Sequence, residues 1–244
     1  MAMTEEWLVC SDPEAMAMSL KKKHGKRSRR KLRLFAMSAC RQMWDLLDAS
    51  CRELIELAER CADGEIEESV VHAAWLSHND AYHALQPNIP THGAGIVAGY
   101  RASLYATTDM VPNQGFQKGG SPWSAKTAWM FASRAVGGAV ELKTGSLDLA
   151  LQAELEVNAW FLSCLRCIFP NPFRRIVADP TWLSPTARSI AEAIYRDCAF
   201  DRLPILADAL EEAGCTNPDI LLHCRTPGEH ARGCWVVDLV LGKE

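Results

Sequence analysis

The sequence predicts an all-α protein, a multi-helix bundle with a C-terminal subdomain of short helices. Apolar residues recur at three- and four-residue spacing through most of the chain. Helix starts are marked repeatedly by a cap residue followed by proline or acids. No stretch alternates apolar and polar residues convincingly; residues 175–178 are the only short candidate strand. With 244 residues, 48% hydrophobic and 23% charged, the chain has a globular composition and enough length to bury a substantial core.

In chain order, Thr4 ahead of Glu5-Glu6 and Asp12 ahead of Pro13 predict short helices at about 5–10 and 13–23. From Arg29 to Cys61, Leu32, Phe35, Ala36, Ala39, Cys40, Met43, Trp44 and Leu47 form one apolar stripe, and Leu54, Ile55, Leu57, Ala58 and Cys61 a second. Asp48–Ser50 divides this segment or kinks it, and Asp63-Gly64 ends it. Residues 65–86 form a helix with Val71, Ala74, Trp75, His78, Tyr82 and Leu85 on one face, closed by Pro87 and Pro90. Residues 93–110 read as helical and 111–121 as a loop. Ser121-Pro122 opens a helix to about Val136, interrupted by Gly137-Gly138. A long helix at 146–169 carries Leu147, Leu151, Leu155, Trp160, Phe161 and Leu165, and Pro170 and Pro172 close it.

Past that boundary, Ser184-Pro185 opens a helix with Ala187, Ile190, Ala191, Ile194, Tyr195 and Cys198 on its stripe. A helix at 201–213 ends at Gly214, and Asn217-Pro218 opens another to about Cys224. Thr226-Pro-Gly-Glu229 reads as a capping box leading to Trp235, Val236, Leu239 and Val240. The expected organisation is a bundle over 1–169 and a short-helix unit over 170–244 packed on it as one compact domain.

Three N-terminal stretches and most of the C-terminal quarter carry a resemblance. The former are Thr4-Glu-Glu-Trp-Leu with Asp12-Pro, Arg30-Lys-Leu-Arg-Leu-Phe-Ala36 with Cys40-Arg41 and Trp44, and Ala58-Glu-Arg-Cys-Ala-Asp-Gly64. The latter include Asn171-Pro-Phe-Arg, Asp179-Pro-Thr-Trp-Leu, Ala193-Ile-Tyr, Asp201-Arg-Leu-Pro-Ile-Leu-Ala-Asp-Ala-Leu-Glu, Ala213-Gly-Cys, His223-Cys-Arg and Arg232-Gly-Cys-Trp-Val-Val-Asp-Leu. Together they resemble an uncharacterised protein family of planctomycete bacteria. The resemblance leaves about 65–145 unsupported and implies that this stretch is the family's variable, alanine-rich helical insert. It implies a bacterial, cytoplasmic setting and no activity, and the basic run before Arg30 departs from the family pattern.

The N-terminus lacks the layout of a signal peptide, and no apolar run approaches the ~18 residues of a membrane span. A cytoplasmic location without membrane contact is therefore expected. In that setting the ten cysteines read as reduced core thiols rather than a disulfide framework.

The net charge of −4 conceals a basic arm: Lys21, Lys22, Lys23, Lys26, Arg27, Arg29, Arg30, Lys31 and Arg33 leave −13 on the rest. The arm suits phosphates or an acidic protein partner, but it holds no interleaved aromatic residue for base stacking. Nucleic-acid contact is an alternative that is not favoured.

Cys215, His223, Cys224, His230 and Cys234 offer thiolate and imidazole ligands, but their spacing fits no standard zinc finger. Adjacent His223 and Cys224 point about 100° apart on a helix, so both rarely reach one ion. The plainer reading packs Cys215 and Cys234 in the core and leaves His223 and His230 at helix ends. Cys164-Leu-Arg-Cys167 lies near the end of a long apolar helix, where core packing again fits better than redox chemistry. His72, Asn79 and His83, with Glu68 nearby, share a face but lack metal-ligand spacing, and His78 reads as a hydrogen-bonded core histidine.

No nucleophile elbow, phosphate loop or dinucleotide fingerprint is present, although a Cys234–His223 pair would need only spatial proximity. Arg174, Asp179, Asp201, Arg202, Asp208, Arg225, Arg232 and Asp238 read as structural Arg–Asp pairs joining short helices. Eight tryptophans and eight methionines add adaptable apolar surface. The resulting expectation is a helical adaptor or protein-interaction module that uses no cofactor and binds an unidentified protein or its own copy. A thiol- or metal-dependent enzyme or sensor is the alternative.

Overall fold

The computed structural model describes residues 7–12, 15–16, 29–85, 101–104, 106–107, 122–174 and 176–243. Helices dominate and no strand occurs among the described residues; the candidate strand is irregular at 176–178, and Arg175 lies outside them. The chain divides into two compact units: Ser11–Leu162, and Met1–Cys10 with Ser163–Glu244. The division therefore falls ahead of Pro170, within a helix.

In the larger unit, α1 (Arg29–Arg41), α2 (Ala49–Ala62), α3 (Glu68–Leu85), α4 (Pro122–Thr144) and the first turns of α5 (Leu147–Ile168) supply the core. A 3-10 turn at Trp44–Leu46 separates α1 from α2, and the Asp48 carboxylate caps α2 by accepting from the Cys51 N–H. Gly64 follows α2 in the left-handed region at φ 76°. Residues 7–9, 15–16, 101–104 and 106–107 are helical, while Pro87, Pro90 and the expected 111–121 loop lie outside the described residues.

Helix α1 departs from the expected single stripe, because all eight residues from Arg33 through Cys40 are buried. It packs against both α2 and α4, so two faces are covered. Arg33 meets Glu68 at 2.6 Å, and Ser38 Oγ donates to the Phe35 carbonyl. Phe35 and Trp129 both contact the Phe161 ring, at centroid distances of 4.3 and 4.8 Å.

The expected break at Gly137-Gly138 does not occur, as α4 runs through it to Thr144. A Cβ on Gly137 would lie 2.6 Å from Glu154 Oε1 and 2.7 Å from its Cγ. This glycine serves a close approach between α4 and α5, and that contact outweighs its poor helix propensity. On α5, Phe161 is buried, whereas Leu147, Leu151 and Leu155 are 60%, 51% and 67% exposed.

In the smaller unit, α6 (Pro185–Asp197), α7 (Leu203–Glu212), α8 (Pro218–Arg225) and α9 (Trp235–Leu241) pack with the last turn of α5. Ser184 and Asn217 accept N-terminal amides as their sequence contexts predict, and prolines occupy the first turns of α6, α7 and α8. Ile194, Leu206, Leu210, Ile220, Val236 and Val240 form its core. Cys198 leaves the predicted stripe: it is exposed and closes α6 at φ 51°.

The predicted capping box is not one. Thr226 terminates α8, and no helix begins until Trp235. The intervening residues form a loop that turns at Gly233, φ 90°, and carries His230 inward.

Candidate functional site

Four ligand-type side chains converge in the smaller unit from two helices and that loop. Cys167 lies in the last turn of α5, His223 in the last turn of α8, His230 on the α8–α9 loop, and Cys234 immediately before α9. Their ligand atoms all lie within 4.8 Å of one another. His230 Nδ1 is 3.3 Å from Cys167 Sγ, and His223 Nε2 is 3.3 Å from Cys234 Sγ. The imidazoles meet edge to face with centroids 5.0 Å apart, and Trp235 backs His223 at 5.1 Å.

A tetrahedral shell with metal–ligand bonds of about 2.0–2.3 Å puts its ligand atoms about 3.3–3.8 Å apart. The two 3.3 Å contacts match such edges, and the widest pair needs about 1 Å of closure. Apolar packing gives no reason to aim two imidazoles at two buried sulfurs, because half-buried polar rings need partners. The donor set has the softness and number required of an S2N2 metal shell.

Electrostatics separate the two sulfurs. Burial raises the Cys167 thiol, and the neighbouring Cys234 sulfur raises it further. Burial acts the same way on Cys234, but hydrogen bonds from Cys167, His223 and His230, with the charge of His223, hold it well below the ordinary thiol range. The Ala231 backbone N–H also bonds the Cys167 sulfur, a second layer of the kind that orients a thiolate ligand. By contrast, burial pushes Cys51 up to about 12 and raises Cys40 and Cys224.

A cavity of about 280 Å³ opens over the cluster. Cys167, His223 and His230 line it with Trp7, Arg166 and Trp235, while Cys234 sits behind them. Arg166 anchors the N-terminal segment there, with Nη2 2.6 Å from the Cys10 carbonyl oxygen and Nε 3.4 Å from that of Trp7.

Of the five ligand candidates in the sequence, His223, His230 and Cys234 converge and Cys215 and Cys224 do not. The last two are buried in the apolar core. The helical offset of His223 from Cys224 sends one to the cluster and the other to the core, as the 100° argument requires. The fourth member, Cys167, is the residue that sequence reasoning missed. Its only local signal is the Cys164–Cys167 pair, and Cys164 is not in the cluster.

Elsewhere the predicted sites disperse. Among the described residues no other group of three or more His, Cys, Asp or Glu has metal-binding geometry, and the His72–Asn79–His83 stripe forms none. His78 is a hydrogen-bonded core histidine, with Nε2 2.7 Å from Ser103 Oγ and Nδ1 3.1 Å from Ser50 Oγ. In the basic run, Arg30 pairs with buried Asp63 at 2.9 Å and Arg33 with Glu68. Lys21, Lys22, Lys23, Lys26 and Arg27 lie outside the described residues.

The C-terminal Arg–Asp expectation holds in part. Arg225 bridges Asp208 and Glu211, but Arg174 pairs with Asp219, and Asp179 instead accepts from the Thr181 N–H. No helix among the described residues is long and apolar enough to cross a membrane. No family model, curated protein or solved structure matches the chain.

Proposed function

We propose that the protein binds one zinc ion through Cys167, His223, His230 and Cys234, and that the ion braces the short-helix unit of a protein-interaction module. The observation that carries the reading is the convergence of two thiols and two imidazoles within 4.8 Å from three segments, the end of α5, the end of α8 and the connection to α9. Two sulfur and two nitrogen donors in a tetrahedron favour zinc over harder cations. Four protein ligands fill the shell, whereas a catalytic zinc keeps a position open, so the reading is structural. Ten free cysteines and thiolate-bound zinc suit a reducing bacterial cytoplasm. The module reading is favoured by Leu147, Leu151 and Leu155, an exposed apolar ridge at four-residue spacing on α5.

Elemental analysis of untagged protein, purified without chelators, tests the metal reading. One zinc per chain is expected, lost in Cys167→Ser and His223→Ala and retained in Cys215→Ser and Cys198→Ser. Zinc-free protein that takes up none on reconstitution refutes the proposal, as does a Cys167→Ser variant that holds a full equivalent.

A further inference from the structure

We infer that Cys167 and Cys234 are also a site of reversible oxidation, at which a peroxide joins the two sulfurs in a disulfide and expels the metal. The metal release rests on the zinc reading above; the sulfur–sulfur bond rests only on the proximity of the two side chains.

The two sulfurs lie within 4.8 Å of each other. A disulfide bond of about 2.05 Å therefore needs them to close by roughly 3 Å or less. Cys234 sits on the non-helical residue ahead of α9, so its side chain is not locked into a helical turn. The two residues also differ in access. Cys167 lines the 280 Å³ cavity, a volume ample for a peroxide molecule, whereas Cys234 lies behind it and has no exposed surface. The geometry thus assigns an order: Cys167 meets the oxidant and Cys234 resolves the product.

In the first step the Cys167 thiol gives up its proton, and the resulting thiolate attacks one oxygen of hydrogen peroxide. The O–O bond breaks, giving Cys167 sulfenic acid and a hydroxide that takes a proton to become water. In the second step the Cys234 thiolate attacks the Cys167 sulfur and forms the S–S bond. Hydroxide leaves and is protonated to a second water. Two thiolates, one peroxide and two protons become one disulfide and two waters, and the sulfur pair gives up the two electrons that the peroxide gains. A disulfide is a poor zinc donor, so the shell falls to two imidazoles and the ion leaves. A thiol reductant reverses both changes.

The other buried thiols frame the selectivity. Cys40, Cys51, Cys61, Cys164, Cys215 and Cys224 are buried outside the cluster and none of them lines the cavity, while exposed Cys198 has no neighbouring cluster thiol to resolve it.

Hydrogen peroxide added to zinc-loaded, full-length protein tests the inference. A chromogenic chelator follows zinc in solution, and mass spectrometry of unreduced peptides follows cross-links. The expected result is one zinc released for each Cys167–Cys234 linkage formed, with both reversed by dithiothreitol and zinc. In Cys234→Ser, Cys167 should instead accumulate as a sulfenic acid trapped by dimedone. Protein that holds no zinc yet still forms this linkage defeats the metal reading and leaves the oxidation site standing. Zinc-bound protein whose wild-type Cys167 and Cys234 never cross-link, or whose oxidation spreads evenly over its cysteines, overturns the inference.

Discussion

Removing the metal should weaken the smaller unit by an amount its topology sets. The ion would tie Cys167, at the end of α5, to His223, on α8, and so close the intervening chain into a loop. In the chain-entropy relation for a cross-link, a loop of about 55 residues corresponds to about 4 kcal/mol. Linkage gives a similar figure, about 4 kcal/mol when free zinc stands a thousandfold above its dissociation constant. A unit of this size class shifts by roughly 4–8 °C per kcal/mol, so chelation should lower its transition by about 15–30 °C. The apolar core around Ile194, Leu206 and Val236 remains, so the metal-free unit should stay folded at room temperature. Differential scanning calorimetry with and without a high-affinity chelator reads the shift. Amide exchange localises it, with protection falling first across α8, the loop and α9. Superimposable zinc-loaded and zinc-free transitions would refute the reasoning, and so would an undiminished zinc effect in Cys167→Ser.

Zinc affinity should rise with pH near neutrality. Burial raises the metal-free Cys167 thiol, whereas hydrogen bonds hold Cys234 low, so proton release on binding falls mainly on Cys167. Binding therefore releases about one thiol proton, worth up to roughly tenfold in affinity per pH unit. Competition titrations at two pH values near neutrality check this, and a flat or inverted slope contradicts the assignment. In the larger unit, His78→Ala should cost about 2–4 kcal/mol in urea unfolding, because it opens a cavity and removes the hydrogen bond to buried Ser103. A loss under about 0.5 kcal/mol would show the histidine to be dispensable there. Gly137→Ala sets about 1 kcal/mol of helix propensity against about 1–3 kcal/mol of overpacking on Glu154, a net loss of about 1 kcal/mol. Repeating it in a Glu154→Ala background should make it neutral or stabilising. Equal effects in both backgrounds would remove Glu154 from the account.

Features fixed within a few residues of chain were legible in the sequence. Ser184 and Asn217 cap helices where their contexts predict, and Asp48 caps α2 at the expected break, because a cap bonds an amide only two or three residues on. The misreadings share a different physics. Gly137 resembles a helix breaker until α5 is brought against it, and Thr226-Pro-Gly-Glu229 resembles a cap until His230 is drawn to Cys167. Three of the four cluster residues were named from residue type. Cys167 reads from the sequence as core packing, since nothing local distinguishes a thiol that meets distant imidazoles from one that fills a core.

The cluster's position also explains why so short a set of helices holds together. Helices of eight and seven residues, the lengths of α8 and α9, are too short to persist alone. Helix α8 buries only Ile220 and Cys224, whereas α9 buries Trp235, Val236, Val237 and Val240. His223 stands in the last turn of α8 and Cys234 directly before α9, while His230 fixes the loop between them. A single ion at that junction would hold the end of one helix, the start of the next and the connection at once, all against the last turn of α5. A metal or a disulfide is a common brace where short helices meet through loops. The same four side chains offer either, a bound ion when the sulfurs are reduced and a covalent bond when they are oxidised.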